Sequence, residues 1–155
     1  MSPQSAASSS DTRVASYPMR RIQIALGITL FGFLVFVIGA RPDVLGFDRS
    51  PVLGFVQIAV FEVGLAFMCI GGYINMIALW RRQALGIAAE IGERMVATGY
   101  LVAVFAGMAD IFGLGSHSPP NLPYFGVWQQ TGVMFGEFII VIGFLMLLPY
   151  RRRSG

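Results

Sequence analysis

The sequence predicts an all-α membrane protein built as a four-helix transmembrane bundle, and three observations predict it. The 155 residues are 55% hydrophobic and only 12% charged, where a soluble domain carries about 25% charged residues. Apolar runs long enough to cross a bilayer recur along the chain. Basic residues gather at the chain junctions that four crossings would place on one side.

Taken in order, residues 1–19 are rich in Ser, Ala and Pro and are expected to form a disordered cytoplasmic tail. Residues 20–153 then make up the membrane domain. Arg20 and Arg21 stand directly before the first span, 22–40. A signal peptide is the competing reading. Ile38 is too large for an A-x-A cleavage pattern and the apolar run is long for such a peptide, which favours an uncleaved helix.

A loop with mixed charges and two prolines leads to the second span, 52–80, in which Glu62 is the only residue charged at neutral pH. Arg81 and Arg82 close it. The next stretch carries Glu90, Glu93 and Arg94, read as decoration of the cytoplasmic interface, with Glu90 and Arg94 spaced for a helical ion pair. The third span is expected over 95–114, interrupted only by Asp110. An uncharged loop stiffened by Pro119, Pro120 and Pro123 leads to the fourth, 127–148, with Gln129, Gln130 and Glu137. Arg151, Arg152 and Arg153 follow.

Orientation follows from the arginines. Arg20/Arg21, Arg81/Arg82 and Arg151/Arg152/Arg153 share one side of a four-span arrangement. The other side holds Arg41 and Arg49, offset by Asp43 and Asp48. The positive-inside rule therefore puts both termini in the cytoplasm of a plasma or inner membrane. Trp128 and Tyr124 would form the outer aromatic belt, and Trp80 and Tyr150 the inner one.

Displacing the sequence by 72 positions produces a gapless self-match. Ala25 meets Ala97, Gly27 meets Gly99, and Phe33 meets Phe105. Pro51, Gly54 and Gln57 meet Pro123, Gly126 and Gln129, and Gly64 and Gly71 meet Gly136 and Gly143. One reading is a duplicated hairpin, giving two parallel repeats about an axis along the membrane normal. The other is that membrane helices joined by similar loops converge on similar punctuation.

Small residues mark the faces that pack. Gly99, Ala103 and Gly107 recur every four residues on the third span, and Gly132 and Gly136 on the fourth. Such spacing lets backbones approach closely. Asp110 continues the first series and should project from the tight face near the outer boundary.

Glu62 and Glu137 each stand about ten residues below an outer helix end, at similar depth. Gln130 shares a face with Glu137. An ionisable group inside a membrane is a functional-site hypothesis by default, and no Lys or Arg is available at that depth. Two carboxylates sharing a dry site could not both ionise. In one reading the neutral acids hydrogen-bond to each other, to Gln130 or to backbone, and hold the bundle together. In the other they carry a proton or cation during transport.

Other chemistry lacks parts. His117 is the only histidine and Cys69 the only cysteine, so one such chain lacks the parts for haem held between two imidazoles, a di-iron site with paired Glu-x-x-His, a Cys cluster or an internal disulfide. His117 lies in a loop seven residues after Asp110. It is either a solvated loop residue or an external pH sensor paired with Asp110. Cys69 reads as a small buried hydrophobe. No nucleophile–base pair, phosphate loop or dinucleotide fingerprint is visible, and the aromatics do not interleave with basic residues as nucleic-acid binding would require.

The expectation is a non-enzymatic integral membrane protein without a cofactor, acting as an accessory or assembly subunit. Its partners would be the lipid bilayer and other membrane subunits or further copies of itself. The alternative is a small proton- or cation-coupled transporter using its intramembrane carboxylates.

Overall fold

The computed structural model describes residues 19–41, 55–80, 84–114 and 126–149. They form four helices: α1 (Met19–Ala40), α2 (Phe55–Leu79), α3 (Ile87–Gly107) and α4 (Val127–Leu147), with no strand among the described residues. Helices α1, α2 and α4 are long and apolar enough to cross a membrane. Large apolar side chains face outward on all four, among them Leu30, Val63, Leu101 and Phe138. A bilayer, and not water, suits such a surface.

The ends of α3 differ from the expected span. The helix starts at Ile87, so Glu90, Glu93 and Arg94 lie inside its first turns and make it less apolar than the others. It stops at Gly107, and residues 108–113 continue as turns closed by Gly113 at φ 70°. Asp110 therefore lies beyond the helix and not within it. Hydropathy alone cannot see this boundary, because the residues that follow Gly107 are as apolar as those before it. The N-terminal tail through residue 18, the first loop from Pro42 to Gly54, Arg81 and Arg82, the loop with His117 and Tyr124, and Tyr150 with Arg151–Arg153 lie outside the described residues.

The helices pair as two antiparallel hairpins, α1 with α2 and α3 with α4. The hydrophobic effect does little between helices in lipid, so close packing has to hold each pair. On α1 the buried residues are Ala25, Gly32 and Gly39, seven apart. A Cβ at Gly32 would meet Met68 N at 2.7 Å and Gly64 O at 2.8 Å, and one at Gly39 would strike the backbone of Phe61. From the other side, Gly64 abuts Phe36 N and Gly71 abuts Thr29 and Ala25 O. Phe31–Phe67 and Phe36–Phe61 close the flanks edge-to-face, at 5.6 and 5.7 Å.

The α3–α4 hairpin repeats these contacts. Gly99 meets Gly136 O and Ile140 N, Gly136 meets Ala103 N and Gly99 O, and Gly143 meets Gly92 O and Val96 N. The second helices correspond at the 72-position displacement: Gly64 with Gly136, Met68 with Ile140, and Gly71 with Gly143. The first helices do not. Their matching contacts relate Ala25, Gly32 and Phe36 to Gly92, Gly99 and Ala103, a displacement of 67. Gly27, which the gapless match sets against Gly99, has nothing within 4 Å, whereas Gly99 is buried. The pairings of Ala25 with Ala97 and Phe33 with Phe105 fail with it. The connection within the second hairpin, 108–126, is longer than that within the first, 41–54, by the same five residues, so the chain absorbs the offset there.

The hairpins meet through α2, which rests against α3 and α4 more sparsely than either helix rests on its own partner. Ile58, Phe61, Leu65 and Cys69 of α2 join Val96 and Ala103 of α3 and Val133, Ile140 and Leu147 of α4 in one core. Phe144 lies over Gly72, and the Tyr73 hydroxyl donates to Glu93 Oε1 at 3.0 Å. Trp80 Nε1 donates to the carbonyl of Leu147 at 2.9 Å. That bond places the C-terminal ends of α2 and α4 together, and with them the N-terminal ends of α1 and α3.

Candidate functional site at the hairpin junction

Glu62 is the most confined ionisable group. It lies seven residues into α2, about 10 Å from the helix start at 1.5 Å per residue, and is 3% exposed. Its Oε1 has no hydrogen-bond partner among the described residues. The carboxylate presses on Gly107, the last residue of α3, where an added Cβ would collide with Oε1 and crowd Ile58. The expected small-residue series therefore splits. Gly99 and Ala103 admit α4, while Gly107 admits a carboxylate from α2.

Two further polar groups mark the same end of the α3–α4 hairpin. Asp110, three residues after Gly107, buries an Oδ1 without a hydrogen-bond partner among the described residues. Gln129 is 4% exposed in the first turn of α4. Its Oε1 accepts the Gly126 N–H at 2.7 Å, closing one of the free donors at the helix start, while its Nε2 is buried without a partner. Gly132 packs on Ala106 at that level. Gln130, expected on the face of Glu137, does line a cavity with it, but its side chain is exposed and Gln129 is the buried neighbour. The match of Gln57 with Gln129 was the available signal.

Glu137 faces elsewhere. It lies between two adjoining cavities of about 330 and 380 Å³, both bordered by Phe36 of α1 and both walled by α2 and α4. Ile58, Phe61, Val133 and Gln130 border the first, and Leu65, Cys69, Ile140 and Phe144 the second. Glu137 is half-buried and makes no hydrogen bond or ion pair with any described residue. In the register set by Gly64 and Gly136 it falls three residues deeper than Glu62, about one helical turn. Among the described residues the two carboxylates share no hydrogen bond, and Glu62 borders neither of these two cavities. The paired arrangement read from their equal distance to the helix ends does not form, because they leave their helices on different sides of the adjoining glycines.

Among the described residues no group of three or more His, Cys, Asp or Glu side chains is placed to hold a metal ion. Cys69 is buried between the hairpins, as a small apolar residue would be. His117 lies outside the described residues. The arrangement thus offers two separate carboxylates on helices long and apolar enough to cross a membrane. One is sealed against the end of α3, and the other lines a lateral groove. No protein-family model, curated protein or solved structure matches the chain.

Proposed function

We propose that this protein is a non-enzymatic integral membrane protein that acts as an assembly or accessory subunit, with the groove beside Glu137 as its docking face. The single observation that carries this reading is the half-buried carboxyl group of Glu137, without a partner among the described residues, in an otherwise mainly apolar groove. Such a group facing lipid costs several kcal/mol unless something supplies a hydrogen-bond donor or a positive charge. Among the described residues none hydrogen-bonds to it, and a transmembrane helix of another subunit would offer a donor or a charge. Gln130 at the edge of the groove adds a second polar contact for such a helix.

The same reading has four crossings and both termini in the cytoplasm. Support comes from the junction of Trp80 with Leu147, which collects the helix ends next to Arg20, Arg21, Arg81, Arg82 and Arg151–Arg153. Although α3 is less apolar, it lies along α4 from Gly92–Gly143 to Ala106–Gly132 and would cross with it. The hairpins are parallel duplicates in this account, supported by their equivalent glycine contacts and by an insertion of five residues in the second connection.

Extraction from native membranes in mild detergent tests the docking role. The wild-type chain should co-purify with a membrane subunit that cross-links to a probe at Met134, on the rim of the groove. Glu137→Leu should lose that partner while the isolated chain keeps or gains thermal stability. A wild-type chain that elutes alone, or a partner that survives Glu137→Leu unchanged, would sink the proposal. The second reading, coupling to a proton or cation, is favoured by the sealed carboxylate of Glu62.

A further inference from the structure

A helix that ends inside a membrane protein leaves its last carbonyls without intrahelical donors and carries a partial negative charge there. The end of α3 has this character. Met108 N and Ala109 N bond back to Val104 O and Ala106 O, but among the described residues no backbone hydrogen bond reaches the carbonyl of Phe105 or Gly107. Glu62 brings an unpartnered carboxylate oxygen against this end, and Asp110 follows three residues later with another buried, unpartnered oxygen. Apart from the Gln129 amide nitrogen, the buried unpartnered side-chain atoms at this end are carboxylate oxygens, which accept. Arg94, the α3 arginine, lies 13 residues before Gly107, about 20 Å along the helix.

We propose that Glu62 and the C-terminal carbonyls of α3 form a binding position for a single monovalent cation, sodium-sized or a proton, with Asp110 as an outer ligand. Hard cations take oxygen ligands, and membrane transporters use carbonyls at broken helix ends for sodium and protons. One deeply buried carboxylate and the end of one helix dipole suit a single positive charge. Gly107 is the residue that permits the site, since a Cβ there would displace Oε1. The titratable groups nearest that end of the neighbouring hairpin are Tyr100 of α3 and Asp110 just beyond α3. Cys69 follows two turns further along α2, Glu137 of α4 faces the separate groove, and α1 carries Arg20 and Arg21 at the opposite end, with Arg41 directly after its last residue at the end where Gly39 packs on Phe61. The site is independent of the docking role proposed for Glu137.

The test is thermal unfolding of the purified full chain in detergent, in sodium, lithium, potassium or choline chloride at equal ionic strength, from pH 5 to 9. If sodium occupies the position, the wild-type midpoint at pH 8 is several degrees higher in sodium than in choline. The difference disappears in Glu62→Gln, and Asp110→Asn shifts it to higher sodium concentration. If the proton occupies it, the cations are equivalent, while the pH dependence of the wild type is lost in Glu62→Gln. Gly107→Ala, which keeps every ionisable group, weakens either response and serves where Glu62→Gln does not fold. A wild-type midpoint indifferent to both cation and pH overturns the inference, as does a response that persists unchanged in both variants.

Discussion

The indole N–H of Trp80 and the main-chain carbonyl of Leu147 join the end of α2 to the end of α4 at 2.9 Å. The side chain of Trp80, a residue expected in the inner aromatic belt, is partly buried and caps a carbonyl in the last turn of the other hairpin. Few contacts join the hairpins, so this bond matters more than one within a hairpin would.

Trp80→Phe keeps an aromatic ring and removes the donor. It should cost about 1 kcal/mol, within the range for hydrogen bonds between membrane helices. Equilibrium unfolding in mixed micelles would measure this, and proximity labels on α2 and α4 should separate before labels within either hairpin do. An unchanged unfolding curve would mean that the hairpins are not joined here.

Gly27 and Gly99 distinguish the two registers. Gly27→Ala meets open space and replaces a poor helix former, so it should be neutral or stabilise by up to about 1 kcal/mol. Gly99→Ala drives a Cβ to within 2.7 Å of Gly136 O and should destabilise by about 1–3 kcal/mol. Equal effects at the two positions would restore the gapless register and discard the 67-position one.

Topology is open to labelling. On a Cys69→Ala background, a cysteine introduced as Ser154→Cys should be inaccessible to a membrane-impermeant thiol reagent in intact cells. It should react once the membrane is opened. Labelling from outside would reverse the orientation or change the number of crossings.

The α-helical membrane class, three of the apolar helices and the glycine periodicity were legible in the chain, because each depends on local composition or spacing. The approximate bounds of α1 and α4 were legible for the same reason. The end of α3 was not. Ile111, Phe112 and Leu114 continue the apolar pattern past Gly107, and only packing against Glu62 and the turns after Gly107 show where the helix stops. The register of the first helices was hidden too, since an offset of five residues in a loop leaves no trace in a gapless comparison.

Composition and periodicity determined by themselves that this chain partitions into lipid as helices and that glycines line its close contacts. Those properties follow from the energy of placing each residue in hydrocarbon and from the absence of a side chain. Only the tertiary structure decided that Glu62 and Glu137 part company, that Gln129 and not Gln130 is buried, and that Gly107 faces a carboxylate. Which way a side chain points across a helix interface depends on rotation and axial offset between partners. Those two quantities are set by the fit of the opposing surfaces, which the spacing of residues along one strand of sequence does not contain.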